Sequence, residues 1–271
     1  MNKNEKVCIG WIDGGTVHTG FASHISKILL NRNDRISDVV CASGPYLSNN
    51  RNLMVEMFLE TEADWLLSLD SDLVIGVDSF DLLVEGADKT KYPILGGIYY
   101  LPLGNGTNIV PSAMRMNENG IGGSFLTFDE VEHADGIISE LHSVGGGFAL
   151  IHRSVFEKIQ QFTGEKFCWF KDEYREELDS WISDDVYFYA TCRALNINIS
   201  THPKTTSFHL KTFKLGLDTF KNYASLNQQG HDHNHDHGHN HGDPNPHQHE
   251  HPQDWMPNKK FNWWTKKKKV N

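Results

Sequence analysis

Short apolar runs alternate with stretches of helical periodicity through the first hundred residues. An apolar run over 7–12 predicts a strand. Residues 18–30 place Phe21, Ile25, Ile28 and Leu29 on one helical face. A second strand is expected at 39–42, and a helix at 52–60 spaces Leu53, Met57 and Glu60 by about a turn. The run 65–69 is a third strand, Asp78 is the expected N-cap of another helix, and 94–100 is a fourth strand. This β-α-β-α-β-α-β order predicts a parallel sheet with helices on both faces.

The pattern changes after residue 100. Glycines and short alternating runs over 110–141 suit antiparallel strands and loops, and 148–151 reads as a buried strand. Ser154-Val-Phe-Glu157 has capping-box spacing, which places a helix start at Ser154. A helix over 184–195 is expected, capped by Ser183, with short final strands at 197–199 and 206–209. The folded domain is expected to span 1–226. Nine of the sixteen histidines then crowd into a low-complexity stretch, interleaved with Asp, Asn, Gly and Pro. Such a composition cannot bury a core, so 227–254 is expected to be a disordered His-rich linker. A Trp/Lys-rich tail, 255–271, follows.

Composition narrows the classes. Hydrophobic residues make up 38% of the chain, and the polar C-terminal stretch accounts for much of that low share. The N-terminus lacks the apolar run and cleavage site of a signal peptide, and no run of about 18 apolar residues exists to span a membrane. The four cysteines are scattered, none in a Cys-x-x-Cys pair; Cys8 and Cys41 fall in apolar runs and read as buried free thiols of a reducing compartment. The net charge is −10 even though six lysines and no acid follow Asp254. A body this acidic is repelled by nucleic acid and by anionic membrane. Contact with an anionic surface would have to come from a local patch or from the tail, where Trp263 and Trp264 precede Lys266 to Lys269, and from the tail it would be weak.

The candidate chemistry begins at Asp70-Ser-Asp72, where an apolar strand runs into two carboxylates. Ligands of an open parallel sheet bind at the carboxyl ends of its strands. In an extended chain, residues two apart face the same way, so Asp70 and Asp72 can meet one cation. Two carboxylates suit Mg²⁺ or Mn²⁺ when substrate phosphates complete the shell. His209 could add an imidazole ligand, and Lys211 could neutralise a phosphate. Ser183-Asp184-Asp185 opens a helix; capping and the helix dipole explain one acid and leave the second to serve as a base. Gly145, Gly146 and Gly147, before a buried strand, allow the backbone to approach a ligand closely. No phosphate-binding Gly-Lys-Ser/Thr loop and no Gly-x-Gly-x-x-Gly after the first strand are present.

Taken in order, these segments resemble GT-A glycosyltransferases, the family-2-like group and the short forms found in bacteriophages, over roughly residues 6–213. Gly44-Pro-Tyr-Leu-Ser-Asn-Asn-Arg51-Asn52 resembles the segment before the nucleotide-contacting helix, where an Arg-Asn pair recurs. Asp70-Ser-Asp72 matches the metal motif, and Gly145-Gly-Gly-Phe-Ala-Leu-Ile-His-Arg resembles the Gly-rich strand beside the donor sugar. Ser183-Asp184-Asp185 stands where the family has Glu-Asp; Asp184 departs from it, and Asp185 aligns with the base. His209 matches the late metal-binding histidine. The resemblance implies a GT-A-type, mostly parallel α/β sheet and transfer of a sugar from a nucleotide-diphosphate sugar to a hydroxyl acceptor with Mn²⁺ or Mg²⁺. It implies Asp70, Asp72 and His209 on the metal, and Arg51, Asn52, Asp70, the three glycines and Lys211 on the donor. Asp185 and Asp184 would be the catalytic pair, and the location cytoplasmic, that of a host if the chain is viral. Glycan, protein or modified DNA all stay open as acceptor. Two other readings are a DNA-modifying glycosyltransferase acting on a hydroxylated base, and a His-rich metal-binding protein without transferase activity.

Overall fold

The first half follows the expected alternation: β1 (Val7–Asp13), α1 (Thr19–Asn31), β2 (Ile36–Ser43), α2 (Leu47–Leu59), β3 (Trp65–Asp70), β4 (Leu73–Ile75), α3 (Val77–Gly86) and β5 (Ile94–Gly97). A strand-rich segment succeeds it: β6 (Tyr100–Leu103), β7 (Asn108–Pro111), β8 (Ala113–Met116), β9 (Gly123–Phe125), the short α4 (Phe128–Glu132) and β10 (Leu141–Val144). Then come β11 (Phe148–His152), α5 (Arg153–Thr163), β12 (Glu173–Arg175), β13 (Ser180–Ile182), α6 (Asp184–Ala194), β14 (Ile199–His202) and β15 (Ser207–His209). The structure, a computed structural model, describes residues 1–103, 108–118, 122–176 and 179–212, which belong to the unit Met1–Thr212. The expected His-rich linker and Trp/Lys tail lie outside the described residues.

The central sheet has six strands in the order β14-β5-β11-β3-β1-β2. β1 runs parallel to β2 and β3, and β14 parallel to β5; β11 runs antiparallel to both β3 and β5. The mostly parallel sheet flanked by helices is therefore as expected, with one antiparallel strand inside it. β5, the fourth strand of the initial alternation, does not pair with β3, because β11 lies between them.

Each central strand feeds two cores by alternation. On β3, Trp65, Leu67 and Leu69 face one cluster and Leu66 the other; on β11, Phe148 and Leu150 oppose Ala149 and Ile151. Helix α1 (Phe21, Ile25, Ile28) and α3 (Phe80, Leu83, Val84) cover the first face. Helices α2 (Met54, Val55, Phe58), α5 (Val155, Phe156, Ile159) and α6 (Phe188, Tyr189, Cys192) cover the second. Each such side chain, fully buried, contributes about 1.5–3 kcal/mol.

Several boundaries differ from the sequence pattern. Helix α2 begins at Leu47 rather than at Asn52, so Arg51 sits inside it and not ahead of it. Gly76, not Asp78, is the N-cap of α3; Asp78 lies in its first turn, where a carboxylate favours the helix dipole. Ser154 caps nothing: α5 starts one residue earlier, and the His152 ring accepts the Ser154 N–H at 3.2 Å in place of a capping box. The expected strand 94–100 divides between β5 and β6, and that at 197–199 is replaced by β14. The four cysteines are free, but Cys41 is only half-buried, its thiol 3.2 Å from Asp13 Oδ2.

Candidate active site

The parallel register brings three strand ends together. Asp13 of β1 pairs with Ser43 of β2, and Ile12 pairs with Asp70 of β3. At these ends opens a cleft of about 290 Å³, lined by Asp13, Gly44, Asn50, Asp70 and Asp72 among others. Its lining sets the carboxylates of Asp13, Asp70 and Asp72 beside apolar Ile12, Pro45 and Leu47.

Asp70 and Asp72 both line this cleft, though not for the reason the sequence suggested. β3 ends at Asp70, and the chain turns through Ser71 and Asp72 before β4 starts. The two carboxylates are consequently not successive same-face residues of one strand, and they keep different company. Asp70 accepts from Arg51 Nη2 at 3.2 Å. Asp72 accepts from Lys211 Nζ at 2.6 Å and faces His209 Nε2 at 3.3 Å. Burial alone would raise the Asp72 pKa, but the hydrogen bonds and charges of His209 and Lys211 outweigh it and hold it at about 2.

His209 and Lys211 reach Asp72 through strand pairing. β15 lies antiparallel to β4 with His209 opposite Leu73, and Leu210 N–H donates to Asp72 O at 2.8 Å. The His209 ring meets Tyr99 edge-on, and its Nδ1 lies 2.9 Å from Tyr100 O. A carbonyl accepts only, so Nδ1 donates to Tyr100 O, and Nε2 is the ring nitrogen turned toward Asp72.

Arg51 is the hub on the other side. It is 4% exposed, with Nη1 3.1 Å from each oxygen of Asp184 and Nη2 on Asp70. Burial alone would lower its pKa; the charges of Asp70, Asp184 and Asp185 more than reverse that. One guanidinium thus ties the end of β3 to the start of α6. Asp184 is itself buried, and burial raises its pKa against the opposing pull of Arg51. Asp185 is half-buried. Its Oδ1 accepts from Ser183 Oγ and, at 2.8 Å, from Val186 N–H, which leaves Oδ2 without a partner among the described residues. Ser183 is the N-cap of α6 by position, but its hydroxyl serves Asp185 rather than the helix.

The three glycines thread between these groups. A Cβ on Gly145 would collide with the Tyr99 hydroxyl, and one on Gly147 with the Asp70 carboxylate; on Gly146 it would stand 3.1 Å from Arg51 Nη1 and 3.3 Å from Asp185 Cβ. The close approach they permit is to the protein's own acids, arginine and tyrosine. Gly147 O accepts from Asp70 N–H at 2.9 Å, and Gly146 O from Ser68 Oγ at 3.0 Å, so the loop also fixes β3.

Asn52 stands apart from the cleft. Its Nδ2 donates to Ser48 O and Phe170 O, and its Oδ1 accepts from Trp169 N–H and Phe170 N–H. Every hydrogen-bonding position of the amide is filled within the fold. The structure also adds residues that no motif flagged. Asp13 accepts from Ser43 Oγ and Gly15 N–H, each at 2.7 Å, and these bonds, Ser43's first, lower its pKa. Buried Tyr99 has its pKa raised by burial and by Asp70 and Asp185. Asn50 donates to Gly44 O at 2.8 Å and lines the cleft beside Asp13.

Among the described residues no three His, Cys, Asp or Glu side chains are gathered closely enough to hold an ion as they stand. Asp70 is turned to Arg51 and Asp72 to Lys211. No helix among them is long and apolar enough to cross a membrane.

No protein-family model matches the chain, and no curated protein does. Among solved structures, the chain is similar to the crystal structure of A197 from STIV, with a TM-score of 0.49 and 21% identity over 76% of this chain and 86% of that one. It is also similar to the crystal structure of GalNAc-T7 with UDP, GalNAc and Mn²⁺, with a TM-score of 0.47 and 12% identity over 79% of this chain. The match spans 45% of the GalNAc-T7 chain.

Proposed function

We propose that the chain is a metal-dependent glycosyltransferase that moves a sugar from a nucleotide-diphosphate sugar to a hydroxyl acceptor. The observation that carries this reading is the cleft at the ends of β1, β2 and β3. Asp70 and Asp72 line it, β15 brings His209 and Lys211 to Asp72, and Arg51 joins Asp70 to the helix that begins with Asp184 and Asp185.

The donor set fits a hard divalent cation. It offers carboxylate oxygens and one imidazole Nε2 whose opposite nitrogen is fixed by Tyr100 O, the arrangement that orients a ligating histidine. Asp70, Asp72 and His209 would hold Mn²⁺ or Mg²⁺. The ion, when bound, supplies Lewis-acid stabilisation of the charge that develops on a diphosphate leaving group.

The protein's own groups have separate tasks. Arg51 holds the Asp70 carboxylate by an ion pair at 3.2 Å. Lys211, which pairs with Asp72, is in reach to share a phosphate charge once a donor enters. Asp184 is buried and bound to Arg51, so it anchors. Asp185, half-buried with Oδ2 open, is the base. In an inverting displacement the acceptor oxygen bonds to the anomeric carbon as its proton passes to Asp185 Oδ2. The bond from that carbon to the diphosphate oxygen breaks, and its electron pair leaves with the diphosphate.

Asp185→Asn tests the assignment. A positioned base is worth about 10²–10⁴-fold, so turnover should fall by that order while the donor dissociation constant, measured by calorimetry, stays within about threefold. Equal losses in turnover and donor affinity would make Asp185 a binding residue.

A further inference from the structure

Just before Asp184 the chain forms a hairpin, β12–β13, that the cleft chemistry does not use. Tyr174 and Trp181 are directly opposed across it, so both side chains stand on one face. Their rings meet at 5.8 Å in a T-shaped arrangement. Both are open to solvent, Trp181 at 69% and Tyr174 at 45%. The Tyr174 hydroxyl is tied to Asp179 within the hairpin, which fixes its ring.

Exposed aromatic pairs need a reason, since covering a ring of this size is favourable. Trp181 lies four residues before Asp185 and is joined to it through Ile182 and the N-cap Ser183. The segment is also strongly acidic. Apart from Asp184, which Arg51 neutralises, Asp172, Glu173, Glu176, Asp179 and Asp185 stand against two cations, Lys171 and Arg175, both of which face Glu173. Phosphate-bearing partners are repelled by that balance. A neutral polyol is not: the flat C–H face of a pyranose covers an aromatic ring, and its hydroxyls donate to carboxylates.

We propose that the β12–β13 hairpin is the acceptor platform and that the acceptor is a neutral carbohydrate. Trp181 is the stacking residue, Tyr174 props its edge, and the acidic rim receives the sugar hydroxyls. This names the acceptor class and rests on the transferase reading above; of the acceptors left open by the sequence, it takes glycan, and the acidic balance counts against DNA.

The test is an array of neutral oligosaccharides probed with the full chain, with a 20-base-pair DNA duplex as the counter-probe. Both are applied to the parent, Trp181→Ala, Trp181→Phe and Tyr174→Ala. The exposure of Trp181 makes Trp181→Ala a fold-neutral change, checked by its melting temperature. The expected result is glycan binding by the parent, weakened about tenfold or more in Trp181→Ala and largely kept in Trp181→Phe, with no binding of the duplex. No glycan bound by the parent, equal binding by Trp181→Ala, duplex binding that depends on Trp181, or a dimer of the chain that Trp181→Ala abolishes would each overturn it. Nucleotide-sugar hydrolysis, measured on the same parent protein, separates the two ideas. Hydrolysis without glycan binding removes the platform alone. Trp181-dependent glycan binding without hydrolysis removes the transferase reading and leaves the platform.

Discussion

Arg51 and Asp184 form a buried ion pair, with Nη1 3.1 Å from each carboxylate oxygen. The same guanidinium reaches Asp70 through Nη2. The planar fork presents a separate nitrogen to each carboxylate, where a lysine has a single nitrogen. Removing the arginine would leave Asp184 charged and buried with no partner. Arg51→Met should therefore cost about 3–5 kcal/mol in urea unfolding. Arg51→Lys should recover part of that stability but not activity. Full activity in Arg51→Lys would show that a point charge suffices and that the fork has no positioning role.

The glycine loop gives a paired test. A methyl group on Gly147 collides with the Asp70 carboxylate, whereas one on Gly14 meets nothing within 4 Å. Gly147→Ala should displace Asp70 and weaken Mn²⁺ binding by about tenfold or more, as disturbing the support of a metal ligand does. Gly14→Ala, at the same cleft, should bind like the parent in calorimetry. Parent-like Mn²⁺ affinity in Gly147→Ala would detach Asp70 from the ion.

These glycines show where a sequence is legible and where it stops. Gly145 to Gly147 were expected to admit a ligand to the backbone, and the atoms found against them are the protein's own. What approaches them was hidden: Tyr99, Arg51, Asp185 and Asp70 arrive from four other elements. β1, β3 and β5 were readable because both faces are buried and their apolar runs are continuous; β2, at the sheet edge, is apolar only over 39–42. The direction of β11 was not, since an apolar run carries no sign of its orientation. Asp70-Ser-Asp72 was found by its position at a strand end, although the turn at Ser71 defeats the extended-chain argument for it. Asp13 escaped notice because a lone Asp in Ile12-Asp13-Gly14-Gly15 looks like an ordinary turn residue. Asn52 was misleading for the opposite reason, being part of a motif yet filled by Phe170 and Trp169.

Acid should weaken the fold through histidines away from the cleft. His142 is buried, and burial first, then the charge of Arg193, lowers its pKa from 6.5 to about 4. Burial also lowers those of His152 and His202. Between the two pKa values the unfolded chain binds the extra proton, so stability rises with pH there. The His142 contribution is fully present above about pH 6.5 and is lost as pH falls through about 4, up to about 3 kcal/mol in all. His142→Gln should flatten the slope of unfolding free energy between pH 6.5 and 4. An unchanged slope would mean that His142 is protonated in the folded protein as readily as in the unfolded one.

Release of nucleoside diphosphate from a panel of nucleotide sugars tests the whole account most directly, with the parent and Asp72→Asn compared in Mn²⁺ and in chelator. The account predicts release by the parent in Mn²⁺, its loss on chelation, and a fall of at least about a hundredfold in Asp72→Asn. Release that neither chelator nor Asp72→Asn alters, or no release from any nucleotide sugar, would contradict it.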